Sequence, residues 1–257
     1  MKRIVVTGGG GHIGSVIVDG LKKTGNYEVI SAAHHPNAER GEIPLDVCDL
    51  QSCIDALKGA DMVVHMAFWL QNDDFVGKSV PTNIIGTYNL FEAARINGVQ
   101  RIVFGSSNHV YGFYPVDAFV CDYAEYRPDS IYGLSKCCAE TIGRYYSDRF
   151  GISCFNIRIG HCRGTRSGYA PGARECKQWL SNRDAVHLVM CCLEADPSIL
   201  YKCMAGTSNN TGNYWDIGML KDEIGYDPQD DGSEMITVDT NRNETEYKGG
   251  KWAQKEY

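Results

Sequence analysis

A glycine-rich stretch, TGGGGHIG, follows directly on the apolar residues RIVV at the start of the chain. Helix-like residues then begin at about residue 12. A strand, a glycine turn and a helix in this order form the context that a dinucleotide fingerprint requires. Gly8 permits the tight turn, Gly11 lets backbone N–H groups approach a pyrophosphate, and Gly14 lets helix and sheet pack closely.

The helix that opens after these glycines gives a second reason to expect a cofactor. A helix N-terminus carries a partial positive charge, which favours phosphate groups. His12 and Ile13 lie in this first turn, so we count them among the cofactor-binding residues. The alternative is a flexible turn with surplus glycine and no ligand.

Strand-like and helix-like stretches alternate through the first 160 residues. The apolar strand-like runs are 3–8, 27–33, 62–67, 101–107 and 152–160. The helix-like stretches are near 12–24, 51–58, 83–98 and 130–150. This alternation predicts an α/β fold, a doubly wound parallel sheet of the Rossmann type with helices on both faces.

The chain changes character after residue 160. Residues 161–176 are rich in Gly and Arg and predict a long loop. A helix near 182–195, a strand near 200–205, a helix around 214–224 and a loose polar arm from 228 follow. This part is too small to bury a core alone. We therefore divide the chain into a dinucleotide-binding domain, 1–160, and a small substrate lobe with a C-terminal arm, 161–257, integrated as one domain.

Composition narrows the classes of protein to consider. The net charge of −7 provides no basic surface for nucleic acid, and no apolar run reaches the ~20 residues of a membrane span. The N-terminus enters a strand at once, which predicts a cytoplasmic protein. Eleven cysteines contain no C-x-x-C spacing, so we expect reduced thiols and no metal site.

The end of the second predicted strand bears on the choice of cofactor. An acidic residue there is typical of NAD binding, yet the chain has His34 and His35, with Arg40 downstream. We expect NAD, with His34 beside the ribose, and NADP is not excluded. Asp49, which follows Asp46, either accepts a hydrogen bond from the adenine amine or caps the next helix.

The pentapeptide YGLSK places Tyr132 four residues before Lys136 in a predicted helix, where residues at this spacing share a face. A lysine ammonium one turn away favours the phenolate and lowers the pKa of the tyrosine. The pair could therefore act as a general base near neutral pH. The alternative is a half-buried tyrosine beside a solvated lysine.

Five motifs occur in one order: TGGGGHIG, DVCDL, NIIGTYNLFEAA, RIVFGSSNHVYG and YGLSK. Together they resemble the extended short-chain dehydrogenase/reductase family, also called the NAD-dependent epimerase/dehydratase family. The later stretches YGLSKCCAE, WLSNRDAVHL and YKGGKW are similar to those of uronate dehydrogenases and aldose 1-dehydrogenases. That resemblance implies oxidation of the C1 hydroxyl of a free cyclic sugar or sugar acid to a lactone, with hydride passed to a nicotinamide.

The resemblance also implies roles for the catalytic residues. Tyr132 would be the general base, and Lys136 would hold the nicotinamide ribose and lower the tyrosine pKa. Ser107 would hydrogen-bond the reacting hydroxyl. Asn108 and His109 would line the sugar pocket.

The same resemblance implies further contacts with the ligands. Ala67 would contact the cofactor, and Asn83 would help fix the site beside the nicotinamide. Arg174 would bind a substrate carboxylate, for which the guanidinium fork is well suited.

This chain departs from the family pattern at two substrate-binding positions. Leu70 and His161 stand where serines are expected, and the 161–174 loop is longer than the family has. Phe68 and Trp69, with Leu70, form either an apolar wall for a different ring or ordinary core packing.

The resulting expectation is an NAD(P)-dependent oxidoreductase that acts on a small sugar or sugar acid and forms a homo-oligomer. A nucleotide-sugar epimerase or dehydratase with bound NAD is the alternative enzyme. A non-catalytic regulator on the same fold is a third hypothesis.

Overall fold

The fold is a single parallel sheet flanked by helices. The computed structural model describes residues 1–71, 73–162, 172–235, 237, 239 and 246–253. The strands are β1 Lys2–Thr7, β2 Tyr27–Ala33, β3 Ile43–Pro44, β4 Met62–His65, β5 Arg101–Ser107, β6 Ser153–Ile159 and β7 Tyr201–Gly206. All neighbouring pairs are parallel, in the order β3-β2-β1-β4-β5-β6-β7. This topology confirms the predicted doubly wound α/β fold.

The helices of the described residues cover both faces of the sheet. They are α1 His12–Thr24, α2 Leu50–Ala56, α3 Gly86–Asn97, α4 Ile131–Phe150, α5 Ala173–Lys177, α6 Asn182–Glu194, α7 Leu220–Ile224 and α8 Gly232–Met235. A π-helix, Phe75–Ile85, runs directly into α3. Short 3-10 turns lie at Ala38–Arg40, Asn108–Tyr111 and Gly250–Trp252.

Apolar side chains fill one layer on each face of the sheet. On one face, Ile17 of α1 and Leu188 of α6 are buried with Ile4 of β1. On the other, Phe91 of α3 is buried with Val63 of β4. Burial on both faces explains why the central strands are continuous apolar runs rather than alternating ones.

The helix predicted around 214–224 is wrong over its first half, since α7 begins only at Leu220. The backbone N–H of Trp215 donates to Asn213 Oδ1 (2.9 Å), and that of Gly218 donates to Asp216 Oδ1 (3.2 Å). Such local bonds compete with helical ones. The predicted loop 161–176 is also wrong at its end, where α5 forms; residues 163–171 lie outside the described part of the chain.

The C-terminal arm is not loose over residues 246–253. The N–H of Val116 donates to the carbonyl of Glu246 (3.0 Å), and the N–H of Lys248 donates to that of Tyr114 (2.9 Å). Lys248 is fully buried. The polar sequence carries no signal of this ordered segment, because its contacts are backbone hydrogen bonds to residues that are distant in the chain.

The sheet continues across the predicted boundary at residue 160. β7 pairs with β6, and α6 packs against α1. Because all the strands run the same way, their carboxyl ends meet at one edge, where ligands bind in open α/β sheets.

Candidate active site

The turn after β1 has the geometry of a phosphate-binding loop. Gly8 has φ +65°, and a Cβ there would lie 2.7 Å from the backbone N of Ala67. A Cβ on Gly14 would overlap the carbonyl oxygen of Gly8. Gly11 is the N-cap of α1 and offers no side chain to the first N–H groups of the helix. This cradle fits a dinucleotide pyrophosphate, which would approach those N–H groups.

One cleft of about 1450 Å³ runs along the carboxyl edge of the sheet. It is larger than the usual 300–1,000 Å³ ligand pocket, which suits a dinucleotide together with a small substrate. The predicted residues that line it are Gly8, Gly11, His12, Ile13, Gly14, His34, Ala67, Leu70, Ser107, Asn108, His109, Tyr132, Lys136, His161 and Arg174. Sites from both halves of the chain therefore meet in one place.

Asp49 does not line this cleft. Its Oδ1 accepts from the backbone N–H of Gln51 (2.8 Å), so it caps α2, as the second alternative proposed. Asp46 lines the cleft instead, 3.7 Å from Nδ1 of the exposed His34.

His12, the first residue of α1, contacts the C-terminal half of the chain: its Nε2 lies 2.8 Å from the carbonyl oxygen of Cys162.

Asn83 is completely buried and does not line the cleft; it contacts residues that do. Its Oδ1 accepts from the N–H of Trp69 (2.7 Å), while its Nδ2 donates to the Trp69 carbonyl and to Ser135 Oγ (both 3.0 Å). It thereby fixes residues 68–70, all of which line the cleft. These residues form an apolar wall, and Leu70 is 59% exposed at its edge.

Tyr132 and Ser107 both line the cleft and are in hydrogen-bonding contact with each other. The pKa of Tyr132 is raised to about 12: burial raises it most, the hydrogen bond with Ser107 lowers it, and the Asp129 carboxylate raises it further. The predicted lowering by Lys136 is wrong for this structure, because burial, Ser107 and Asp129 set this pKa and burial also disfavours the charged form of Lys136. The phenolate needs further positive charge to form near neutral pH.

Lys136 is buried one turn from the tyrosine. Its Nζ donates to the carbonyl of Gly105, lies 3.4 Å from the centre of the Phe68 ring, and is 5.5 Å from that of Tyr132. Desolvation lowers the pKa of Lys136 well below its usual value, and the charge of Glu140 opposes that shift. The Nζ group of Lys136 thus lies against one carbonyl and aromatic faces rather than in solvent.

His109 contacts Asp129 and Trp252, two residues that the sequence analysis did not predict at the site. Its Nδ1 lies 2.8 Å from Oδ2 of Asp129, and its ring stacks on Trp252 at 4.6 Å. Trp252 also meets Tyr132 edge to face, at 6.0 Å. We missed Asp129 and Trp252 as site residues; the glycine pair in YKGGKW was the available signal of a turn that returns the chain.

The remaining substrate residues border the second half of the cleft. Asn108 Nδ2 donates to Gln178 Oε1 (3.2 Å), and the backbone N–H of His161 donates to the Gln178 carbonyl (2.8 Å). Arg174 donates to the carbonyl of Lys248 and lies 3.8 Å from Glu175. Arg174 is thus fixed at the rim by the C-terminal segment.

Neither a metal-ligand cluster nor a membrane-spanning helix occurs in the part of the chain that the structure describes. It contains no group of three or more His, Cys, Asp or Glu side chains placed to hold a metal ion. None of its helices is both long and apolar enough to cross a membrane.

A Rossmann sheet with a phosphate loop, and a tyrosine–lysine pair beside a serine, define a nicotinamide-dependent short-chain dehydrogenase/reductase. The model of the NAD dependent epimerase/dehydratase family matches residues 4–196. The chain belongs to this family, which confirms the resemblance.

Several relatives match nearly the whole chain. An NAD-dependent glucose-6-phosphate dehydrogenase of Haloferax volcanii is 34% identical, over 90% of this chain and 95% of its own. A uronate dehydrogenase of Agrobacterium fabrum is also 34% identical, over 90% and 85%. The crystal structure of a uronate dehydrogenase mutant from Agrobacterium tumefaciens, complexed with NAD, superposes with a TM-score of 0.87 at 30% identity, covering 98% and 97%.

Proposed function

We propose that this protein uses NAD to oxidise the C1 hydroxyl of a free cyclic sugar or sugar acid to a lactone. The observation that carries the proposal is the contact of Tyr132 with Ser107 inside the cleft that the phosphate loop opens into. The relatives that match nearly the whole chain are named as dehydrogenases of glucose 6-phosphate and of uronates. This favours sugar oxidation over the epimerase alternative.

The protein's part in the reaction is to place the sugar and accept its proton. Ser107 and Tyr132 hold the C1 hydroxyl between them, and the Tyr132 phenolate takes its proton. Lys136 binds the nicotinamide ribose and contributes positive charge beside the phenolate. Bound NAD supplies the acceptor for the hydride that leaves C1.

The distal part of the substrate meets a mixed surface. Arg174 offers a guanidinium at the rim, suited to a carboxylate or another anionic substituent. Trp252 and Leu70 present apolar surface to the ring, and His161 replaces a hydroxyl with an imidazole. These side chains favour a small, free sugar or sugar acid, and Leu70 and His161 give the pocket wall a different chemistry from the serines expected there.

The epimerase or dehydratase alternative has less support in the chain itself. A dehydratase needs an acidic pair next to the serine, where this chain has Asn108 and His109. The non-catalytic alternative is disfavoured because Tyr132 and Lys136 are both present in the cleft.

The experiment is to mix the purified protein with NAD and a panel of uronates, neutral aldoses and sugar phosphates, and follow absorbance of the reduced cofactor. Reduction with any free sugar supports the proposal. Reduction with uronates only would favour Arg174 as the carboxylate ligand. Silence across the panel, with NAD still bound, would overturn the proposal in favour of a nucleotide-linked sugar.

A homo-oligomer and a cytoplasmic location are part of the same proposal. Tyr88 and Ile96 on α3, and Tyr145 and Phe150 on α4, are large apolar side chains left 42–55% exposed, as a pairing surface would require. All eleven cysteines are free, as expected in a reducing compartment. Sedimentation velocity tests the first point, since a monomer at micromolar concentration would contradict it.

A further inference from the structure

The adenosine end of the cleft lacks the carboxylate that usually selects NAD. His34 and His35 follow β2 and line the cleft at that point. In the usual arrangement an acid at this place bonds the ribose 2′-hydroxyl and repels a 2′-phosphate, while a nearby arginine admits the phosphate. Arg40 is close in sequence, so the sequence alone points toward tolerance of NADP.

The structure supplies a carboxylate from elsewhere. The side chain of Glu42, just before β3, is only 2% exposed. Its Oε2 accepts from the N–H of Asn37 (2.8 Å), and Ser31 Oγ on β2 lies 3.4 Å from its Oε1. Both carboxylate oxygens lie 3.2–3.3 Å from the point where Gly10 would carry a Cβ. Gly10 lines the cleft, so only a glycine backbone separates this charge from the cofactor.

Arg40 is not available as a phosphate ligand in this arrangement. Its Nη2 lies 3.1 Å from Oδ1 of Asp19, and its Nε lies 3.6 Å from Oε1 of Glu42. Two carboxylates thus face one guanidinium, which leaves the group with net negative charge. Asp46 adds another carboxylate on the cleft wall.

We propose that Glu42 takes over the role of the missing acid after β2 and makes the protein selective for NAD over NADP. Buried under the phosphate loop, its charge is poorly screened and opposes a 2′-phosphate across Gly10. Its bond to Asn37 also holds the connection that keeps Arg40 turned toward Asp19. This inference rests on cofactor binding in the cleft and is independent of which sugar is oxidised.

The test is to titrate NAD and NADP into wild-type protein and Glu42→Gln without sugar, following quenching of tryptophan fluorescence. We expect wild type to bind NADP at least tenfold more weakly than NAD. Glu42→Gln keeps the side-chain size and an oxygen for the Asn37 N–H. It should remove most of that difference by increasing the affinity for NADP. Exposed Glu39 lies in the same connection, and Glu39→Gln should leave the ratio unchanged.

Two outcomes would overturn the inference. One is a wild-type protein that binds NADP as tightly as NAD, a result that needs no variant. The other is a folded Glu42→Gln, judged by an unchanged thermal midpoint, whose NADP-to-NAD ratio stays within twofold of wild type. Because sugar is absent, failure here is distinct from failure of the sugar panel.

Discussion

Tyr132 contacts Ser107 and the rings of Phe68, His109 and Trp252, and we propose that it is the general base. Tyr132→Phe keeps the ring contacts and removes only the hydroxyl. We expect kcat to fall about 10³-fold, in the range of lost general-base catalysis, while the Kd for NAD changes little. Steady-state kinetics with the best sugar, and a cofactor titration, measure the two. Near-normal turnover would show that another group is the base.

Burial is the main cause of the raised pKa of Tyr132, and Asp129 adds to that rise. Its negative charge raises the pKa of the phenol, so the phenolate becomes abundant only at higher pH. In Asp129→Asn that charge is gone, the pKa falls, and the rising limb of log kcat against pH should move to lower pH. His109 loses its partner at the same time, so KM should rise.

A matched control for this variant is Glu125→Gln, because Glu125 is an exposed carboxylate in the same loop. Its pH profile should coincide with that of wild type. A profile of Asp129→Asn that shifts to higher pH, or does not shift, would contradict the assignment.

Which residues were predictable depends on how far their partners lie along the chain. Ser107, Tyr132 and Lys136 stand in short motifs, so the sequence alone predicts them as residues of the candidate site, and all three line the cleft. Asp129 reaches His109 across 20 residues, and Glu42 reaches Gly10 across a loop. No local pattern encodes such meetings, which is why these residues emerged only from the fold.

Helix α4 connects the reacting residues to a buried ion pair. Tyr132, Lys136 and Glu140 follow one another at four-residue spacing, and so share a face. Glu140 Oε2 lies 2.7 Å from Nη2 of Arg158 on β6, with both side chains inaccessible. This pair joins α4 to the sheet one helical turn beyond Lys136.

We expect Glu140→Gln to lower the free energy of unfolding by about 3 kcal/mol, because Arg158 is left as an uncompensated buried charge. The control is Asp148→Asn, which breaks an exposed pair with Arg144 on the same helix and should cost less than about 1 kcal/mol. Urea unfolding curves compare the two. Equal losses would mean that the buried pair contributes no more than a surface one.

The C-terminal segment 246–253 shows how an element can be hidden from sequence analysis. It has no hydrophobic periodicity, so it resembled a loose arm. We expect Trp252→Ala to raise KM for the sugar several-fold, because the ring beside His109 is lost, and to leave the Kd for NAD unchanged. Kinetics and a cofactor titration separate these effects; an equal loss of NAD affinity would place Trp252 at the cofactor instead.

At the scale of the whole molecule, His65 couples stability to pH. It ends β4 in the middle of the sheet, with Nδ1 2.7 Å from Thr7 Oγ1. Burial, and then the charge of Lys136, lowers its pKa from 6.5 to about 3. The folded protein thus keeps His65 neutral, while the unfolded chain binds a proton below pH 6.5. Stability therefore falls as pH drops from 6.5 toward 3.

Between pH 7 and pH 5, His65 alone should lower the free energy of unfolding by about 2 kcal/mol. His65→Gln can still bond Thr7 but cannot titrate, so its free energy of unfolding should depend less on pH. Exposed His35 provides the control, His35→Gln. Urea unfolding at the two pH values measures the difference, and parallel slopes for wild type and His65→Gln would refute the coupling.

The architecture of the whole molecule was the most predictable level. Alternating strand and helix signals admit few arrangements once crossovers are right-handed, and the parallel order of the sheet follows from them. The substrate side was harder, because it joins Leu70, His161, Arg174 and Trp252 from loops that carry no periodic signal.

Residues 246–253 are fastened to the loop at residues 112–116 largely through main-chain groups: Val116 to Glu246, Lys248 to Tyr114 and Gly249 to Gly112. Bonds of this kind tolerate many side chains. Mutation can therefore explore new wall chemistry at Trp252 while the redox machinery on the sheet stays as it is. Natural divergence or a laboratory library could therefore change the range of sugars accepted through substitutions in this segment, with the rest of the fold unchanged.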